Sequence, residues 1–87
     1  MTLRSTSIRR TTRETDIRLD LNVDGSGQGI IQTGIGFLDH MLTALTRHAR
    51  FDLTLKCEGD LDVDGHHTSE DCALVVGEAL DRILGDR

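Results

Sequence analysis

Two adjacent histidines and a following glutamate carry side chains that could bind a metal ion. Glu70 lies four positions after His66 and three after His67. Residues three and four apart are neighbours on a helix surface, so a helix entered at His67 places Glu70 one turn later on the same face. Imidazole and carboxylate groups together suit divalent first-row metals such as manganese, iron or zinc. The segment therefore predicts a transition-metal site.

The two histidines are poorly placed to share one ion. Consecutive side chains point about 100° apart on a helix and to opposite sides on a strand. The pair fits two metals, or one metal and a substrate. The simpler alternative is an exposed helix start, where the helix dipole favours acidic residues whatever the function. The zinc-peptidase patterns H-E-x-x-H and H-x-x-E-H are absent from the sequence.

Length and composition predict a single domain, residues 1–87, whose own core is small. A chain of 87 residues buries only about 60% of its unfolded surface, which favours assembly with partners. With two Phe and no Trp or Tyr, the core must be aliphatic. The net charge of −5, without a basic stretch interleaved with aromatic residues, argues against a nucleic-acid surface.

Other sequence features bear on the cellular location of the chain and on the roles of its cysteines and arginines. No apolar run approaches about 18 residues, so no membrane-spanning helix is expected. The N-terminus lacks an apolar signal core, which predicts a cytoplasmic location. Cys57 and Cys72 make no disulfide framework and are interpreted as small buried hydrophobic residues. Five arginines of the first segment are interpreted as solvated strand faces, with a phosphate contact by one of them as the alternative: Arg4, Arg9, Arg10, Arg13 and Arg18.

Hydrophobic periodicity predicts the elements that position these residues. Strands are predicted at four places: 3–13, 17–23, 28–33 and 51–57. Asp24–Gly27 predicts a turn that pairs the third strand with the second as a hairpin, and 61–64 predicts a short extended piece. Helices are predicted over 36–48 and 67–84. The order β-β-β-α-β-α predicts an α+β two-layer sandwich, with two helices on one face of an antiparallel-rich sheet.

Each predicted helix has an apolar side and a side that carries candidate site residues. In the first helix the apolar arc consists of Phe37, Leu38, Met41, Leu42 and Leu45. His40 falls at the margin of this arc, where it can face a cleft, and His48 falls inside the arc. In the second helix the predicted core stripe consists of Cys72, Ala73, Val76, Ala79, Leu80, Ile83 and Leu84. The opposite side carries His67, Glu70, Leu74, Glu78 and Asp81, so a metal held there would be completed by groups from elsewhere.

Three longer motifs resemble a known family. The sequence reads T-G-I-G-F-L-D-H-M-L at 33–42, H-H-T-x-E-D at 66–71 and R-x-T-x-E-T at 10–15. Together they are similar to imidazoleglycerol-phosphate dehydratase of histidine biosynthesis, and the resemblance runs from about residue 8 to the last residue. It implies the ribosomal-S5-domain-2-like fold, the same architecture that the periodicity predicts.

The resemblance also implies a reaction. Family members dehydrate imidazole glycerol phosphate to imidazole acetol phosphate, which requires removal of a proton from a barely acidic carbon. Metals bound to the imidazole ring would let it act as an electron sink.

Residue roles follow from the same resemblance. It implies that His40, His66, His67 and Glu70 are metal ligands, manganese being the usual ion. Glu14 and Glu70 are the implied catalytic residues; Glu14 would act as an acid/base or substrate contact, and a solvated strand residue is the alternative. His48 is the implied substrate-side histidine, with a semi-buried or capping role as the alternative. For Asp39 and Asp71, orienting a ligating imidazole and capping a helix end remain equal alternatives.

The family is internally duplicated, and this chain resembles the first repeat alone. The implied consequence is a homo-oligomer whose two-metal site is completed by another chain. Three function classes stay open: an active dehydratase of self-assembled copies, a catalytically silent metal-binding half, and a structural assembly module. Little or no turnover is expected from the chain alone, because the phosphate-holding residues belong to the second repeat.

Overall fold

The computed structural model describes residues 4–59 and 65–84 as one sheet with two helices. In chain order the elements are β1 (Ser5–Thr11), β2 (Thr15–Asn22), β3 (Gly29–Gln32), α1 (Gly36–Ala49), β4 (Asp52–Gly59) and α2 (His66–Leu84). This β-β-β-α-β-α order confirms the predicted α+β fold class. The extended piece predicted at 61–64 lies outside the described residues.

The sheet has the strand order β1-β2-β4-β3. The β1–β2 and β2–β4 pairs are antiparallel, whereas β3 pairs with β4 in parallel. The predicted hairpin between the second and third strands is therefore wrong, since β3 lies on the far side of β4. Parallel neighbours require a crossover connection, and α1 provides it between β3 and β4.

Asp52 explains why the chain does not turn back along β2. Its Oδ1 accepts the backbone N–H groups of Ser26 and Gln28, each at 3.0 Å. The Gln28 hydrogen bond and then that of Ser26 hold the pKa of Asp52 below its ordinary value of 3.8. A Cβ on Gly25 would lie 2.4 Å from Cγ of Asp52. The loop before β3 is thus hydrogen-bonded to the start of β4, and β3 therefore pairs with the edge of β4 that faces away from β2.

The core lies between one face of the sheet and the two helices. Alternate residues of a strand point to opposite faces. The inward residues of β2 and β4 are all buried: Ile17, Leu19, Leu21, Leu53, Leu55 and Cys57. Cys72, Val75 and Ala79 of α2 and Leu38 and Leu42 of α1 pack against this cluster. Both helices therefore cover the same face, as predicted, and the other face of the sheet is polar.

The two cysteines belong to this core. Cys57 and Cys72 are free thiols, 8% and 0% exposed. Burial raises the pKa of both thiols, that of Cys72 to about 12. Both act as small apolar residues, which confirms the sequence interpretation.

The apolar arc of α1 is only partly buried. Leu38 and Leu42 contact the core, but Phe37, Met41 and Leu45 are 75%, 51% and 43% exposed. Part of the apolar arc stays exposed because α1 packs on β3, an edge strand of four residues that is too narrow to cover it.

The core stripe of α2 is rotated relative to the prediction. Val75, which the predicted stripe omitted, is fully buried, while Ala73 and Leu84 are exposed. The rotation follows from Asp71, whose side chain is turned toward the sheet by the polar partners described below. In the described parts of the chain, neither helix is both long and apolar enough to cross a membrane.

Candidate metal and substrate site

Most of the predicted site residues meet at one end of the sheet. Because β3 and β4 are parallel, their carboxyl ends lie side by side, and α1 starts there. Because β2 is antiparallel to β4, Thr15 at the start of β2 pairs with Gly59 at the end of β4. The turn that carries Glu14 therefore lies at this same end.

The residues immediately before the two helices, Ile35 and Gly65, lie close together at this end. A Cβ added to Gly65 would lie 3.1 Å from Cδ1 of Ile35, the residue immediately before α1. Gly34 has a φ of +85°, a conformation that suits glycine and makes a tight entry into α1. His40 lies a little over one turn into α1, and His66 and His67 open α2.

The histidine box forms the first turn of α2. The helix starts at His66, one residue earlier than predicted, and Nε2 of His66 lies 3.0 Å from Oε2 of Glu70. Both side chains are largely exposed, at 71% and 55%. The rings of His66 and His67 have centroids 5.6 Å apart and planes inclined at 62°. The two rings lie edge to face in contact, and the His66 imidazole and the Glu70 carboxylate face outward together.

His40 and His48 line one shallow groove along α1, together with Thr43, Ala44 and Arg47. His40 is exposed at the margin of the apolar arc, as the sequence predicts. Eight residues of helix correspond to about 12 Å, so His48 lies toward the opposite end of α1 from the histidine box. Of the predicted site residues, His48 is the one that the fold places away from the others.

Glu14 lies in the turn between β1 and β2. It is half-buried and lines a cleft with Thr12, Glu58 and Gly59, at the end of β4. The Thr12 hydroxyl accepts the backbone N–H of Glu14 at 3.1 Å, and Thr12 N–H donates to the Thr15 carbonyl at 2.8 Å. The backbone of this turn is therefore fixed by hydrogen bonds, and Glu14 is one of the residues that line the cleft.

Asp71 connects this turn to the histidine box. Its Oδ1 accepts Arg10 Nη1 at 3.0 Å and its Oδ2 accepts Thr15 Oγ1 at 2.6 Å. Arg10 is therefore not a purely solvated strand residue, which corrects the sequence interpretation for this arginine. The contact was missed because sequence separation gives no sign of it, although Arg10 and Thr15 both lie in the R-x-T-x-E-T element.

Asp39 has a structural partner of its own. Its Oδ1 accepts the Thr33 backbone N–H at 2.9 Å and the Thr33 hydroxyl, which ties the end of β3 to the first turn of α1. Thr33 is fully buried. Of the two roles left open from the sequence, these hydrogen bonds correspond to the one at the helix end.

One chain does not assemble a closed metal site from its described residues. Within 4–59 and 65–84, no group of three or more His, Cys, Asp or Glu side chains is placed to hold an ion. The nitrogen and oxygen donors of His66 and Glu70 nevertheless match the ligand chemistry of manganese or iron. One copy thus presents an imidazole and a carboxylate together on its surface.

Comparison with known proteins decides the family. The family model described as imidazoleglycerol-phosphate dehydratase matches residues 33–87, which include α1, β4 and the histidine box. The chain belongs to the imidazoleglycerol-phosphate dehydratase family. It is 58% identical over 87 residues to the imidazoleglycerol-phosphate dehydratase of Maridesulfovibrio salexigens, across 100% of this chain and 45% of that protein.

Other relatives give the same result. The enzyme of that name from Haloarcula marismortui is 54% identical over 87 residues, again 100% of this chain and 45% of the relative. The Phytophthora nicotianae protein of that name is 58% identical over 85 residues, 98% of this chain and 19% of the relative. This dehydratase-family chain therefore spans less than half the length of these curated relatives.

Proposed function

We propose that this chain acts in the metal-dependent dehydration of imidazole glycerol phosphate, as a unit that binds manganese and assembles with copies of itself. Membership of the dehydratase family supports the reaction class. The observation that carries the proposal is the outward-facing pair of His66 and Glu70, with the His67 ring edge to face beside His66. Ligands that face outward are suited to a site shared between chains.

The donors fit the proposed ion. His40, His66, His67 and Glu70 would hold it, and a bound metal would stabilise negative charge on an imidazole ring. Glu14 is the proposed acid/base or substrate contact, because its carboxylate lines the cleft at the same end of the sheet. His48 is proposed to contact substrate only from a neighbouring copy, since it lies toward the other end of α1.

A second candidate is a catalytically silent metal-binding or structural assembly module. The observation in its favour is that the described residues of one chain gather no group of three metal-binding side chains. The net charge of −5 also disfavours a phosphorylated substrate. Metal content and turnover separate the two candidates.

The first prediction concerns metal binding. Replacing both His66 and His67 with Ala is expected to abolish manganese binding with the fold retained, because two imidazole donors leave the exposed first turn of α2. The measurement is metal content after dialysis, with free Mn²⁺ followed by electron paramagnetic resonance. His48→Ala is the matched control and is expected to keep the metal. Unchanged stoichiometry in the double variant would contradict the proposal.

The second prediction concerns assembly. The exposed stripe of Phe37, Met41 and Leu45 on α1, and Leu74 at 52% exposure on α2, predict at least a dimer of this chain. Native mass spectrometry with and without manganese is the measurement. Met41→Glu is expected to shift the population toward monomer, whereas Gln32→Glu on the nearby edge strand is not. A monomeric wild-type mass at micromolar concentration with manganese would rule the prediction out.

A further inference from the structure

We infer that Asp71 is a positioning residue that holds the turn carrying Glu14 against the histidine box of α2. The inference rests on the proposed function, because the catalytic roles of Glu14 and Glu70 are part of that proposal. Asp71 is joined to β1 and β2 through Arg10 and Thr15, residues that are 61 and 56 positions away in sequence. These two residues flank Glu14, and Asp71 directly follows Glu70.

The contact is a largely buried polar cluster rather than a surface ion pair. The Asp71 side chain is 13% exposed, and Thr15 is 3% exposed. A buried carboxylate is stable only when it is paired and hydrogen-bonded, and both of its oxygens are engaged here. Arg10 supplies the charge, with a side chain that is 36% exposed. The cluster therefore depends on all three members being present.

The direction of each hydrogen bond follows from the number of hydrogens available. A hydroxyl has one hydrogen and two lone pairs. Thr15 gives its hydrogen to the Asp71 carboxylate, so in the 3.3 Å contact between the Thr12 and Thr15 hydroxyls Thr12 must be the donor. The two lone pairs of Thr12 then accept the N–H groups of Glu14 and Thr15, each at 3.1 Å.

This chain of hydrogen bonds transmits the position of α2 to Glu14. Asp71 orients the Thr15 hydroxyl, Thr15 orients the Thr12 hydroxyl, and Thr12 holds the backbone of Glu14. Every donor and acceptor of the Thr12 hydroxyl is used. Loss of the Asp71 carboxylate removes the acceptor of the Thr15 hydroxyl, so the Thr15 oxygen that receives the Thr12 hydrogen is no longer held in place. The two proposed catalytic carboxylates, Glu14 and Glu70, are thereby set relative to one another by residues that need not touch substrate.

The test uses four variants of the intact chain: Asp71→Asn, Thr15→Val, Thr15→Ser and Leu80→Ala. Amide hydrogen exchange of the metal-free protein is followed by NMR, and the Glu14 rate is divided by that of Leu55 in the core of β4. The ratio is expected to rise about tenfold in Asp71→Asn and Thr15→Val. It should stay at the wild-type value in Thr15→Ser, which keeps the hydroxyl, and in Leu80→Ala, which weakens α2 packing elsewhere.

Manganese affinity provides the second readout. We expect the manganese affinity to fall about tenfold in Asp71→Asn and Thr15→Val and to stay unchanged in the two controls. A loss of this size is typical when a residue that orients a metal ligand is replaced. An unchanged exchange ratio in both variants would overturn the inference. If the wild-type chain binds no manganese, the proposed function fails, while the exchange ratio still decides whether Asp71 positions Glu14. If Asp71→Asn does not fold, Thr15→Val carries the same comparison.

Discussion

Replacing Gly59 with alanine is expected to destabilise this chain by about 3 kcal/mol, enough to unfold much of a domain this small. A Cβ at this position would lie 2.0 Å from Oγ1 and 3.3 Å from Cβ of Thr68, and 3.5 Å from Cγ2 of Thr15. Thr68 cannot yield easily because it is fully buried, and the buried Thr15 already lies at van der Waals distance from the added Cβ. The last residue of β4 must therefore be glycine for α2 to start where it does.

Two further variants test this explanation. Thr68→Ala removes a buried hydroxyl that has no hydrogen-bond partner among the described residues. This substitution alone should therefore lower the free energy of unfolding only a little. Combined with Gly59→Ala it should recover part of the lost stability, since the closest contact is gone. Gly77→Ala is the matched control: no atom lies within 4 Å of the added Cβ. In a helix interior it should stabilise by about 1 kcal/mol.

Urea unfolding, followed by circular dichroism, is measured for the four variants and for the wild-type chain. A Gly59→Ala midpoint close to that of the wild-type chain would show that α2 can move away at little cost. The requirement for glycine at the end of β4 would then be wrong. Where Gly59→Ala remains folded, we also expect weaker manganese binding, because the clash displaces the first turn of α2 and with it His66 and His67.

Dehydratase turnover by this chain alone is expected to be undetectable or very low, even with manganese bound and the oligomer formed. By resemblance, the residues that hold the substrate phosphate belong to the second repeat of the family. Losing them removes positioning, which can contribute several kcal/mol, roughly 7 or more in favourable cases, to lowering a barrier. The net charge of −5 further disfavours a phosphorylated substrate.

The measurement is a product assay on manganese-loaded protein, with Glu14→Gln as the matched variant. Equal, near-background rates for the two proteins are expected. Substantial wild-type turnover that Glu14→Gln abolishes would show that this chain is a complete enzyme. A full-length relative under the same conditions serves as the positive control for substrate and metal. The result separates an active assembly from a silent metal-binding unit.

The sequence alone was sufficient for most elements of the fold. Strict alternation in β2 and β4 identified both strands to within two residues at either end, because each has one face in the core and one in solvent. The start of the second helix was predicted within one residue. The spacing of His66 and Glu70 correctly predicted a carboxylate one turn after a histidine, since this is a property of a single helix turn.

Strand order and the burial of helix faces were decided by the tertiary structure. Asp24–Gly27 resembles a hairpin turn, but the Asp52 carboxylate holds the loop and directs β3 to the far edge of β4. Periodicity cannot show how wide a surface a helix meets, so the exposure of Phe37 on α1 was not predicted.

The link between the two site motifs also depends on long-range contacts. For Asp71 the sequence left two equal alternatives, orienting a ligating imidazole and capping a helix end. Its contacts with Arg10 and Thr15 were not predicted, because neither residue is near it along the chain. The sequence by itself thus determined the residue types, the local geometry and the family. The fold decided which of these residues lie together, because contacts between distant segments depend on strand pairing and close packing, as at Gly59, that local patterns do not encode.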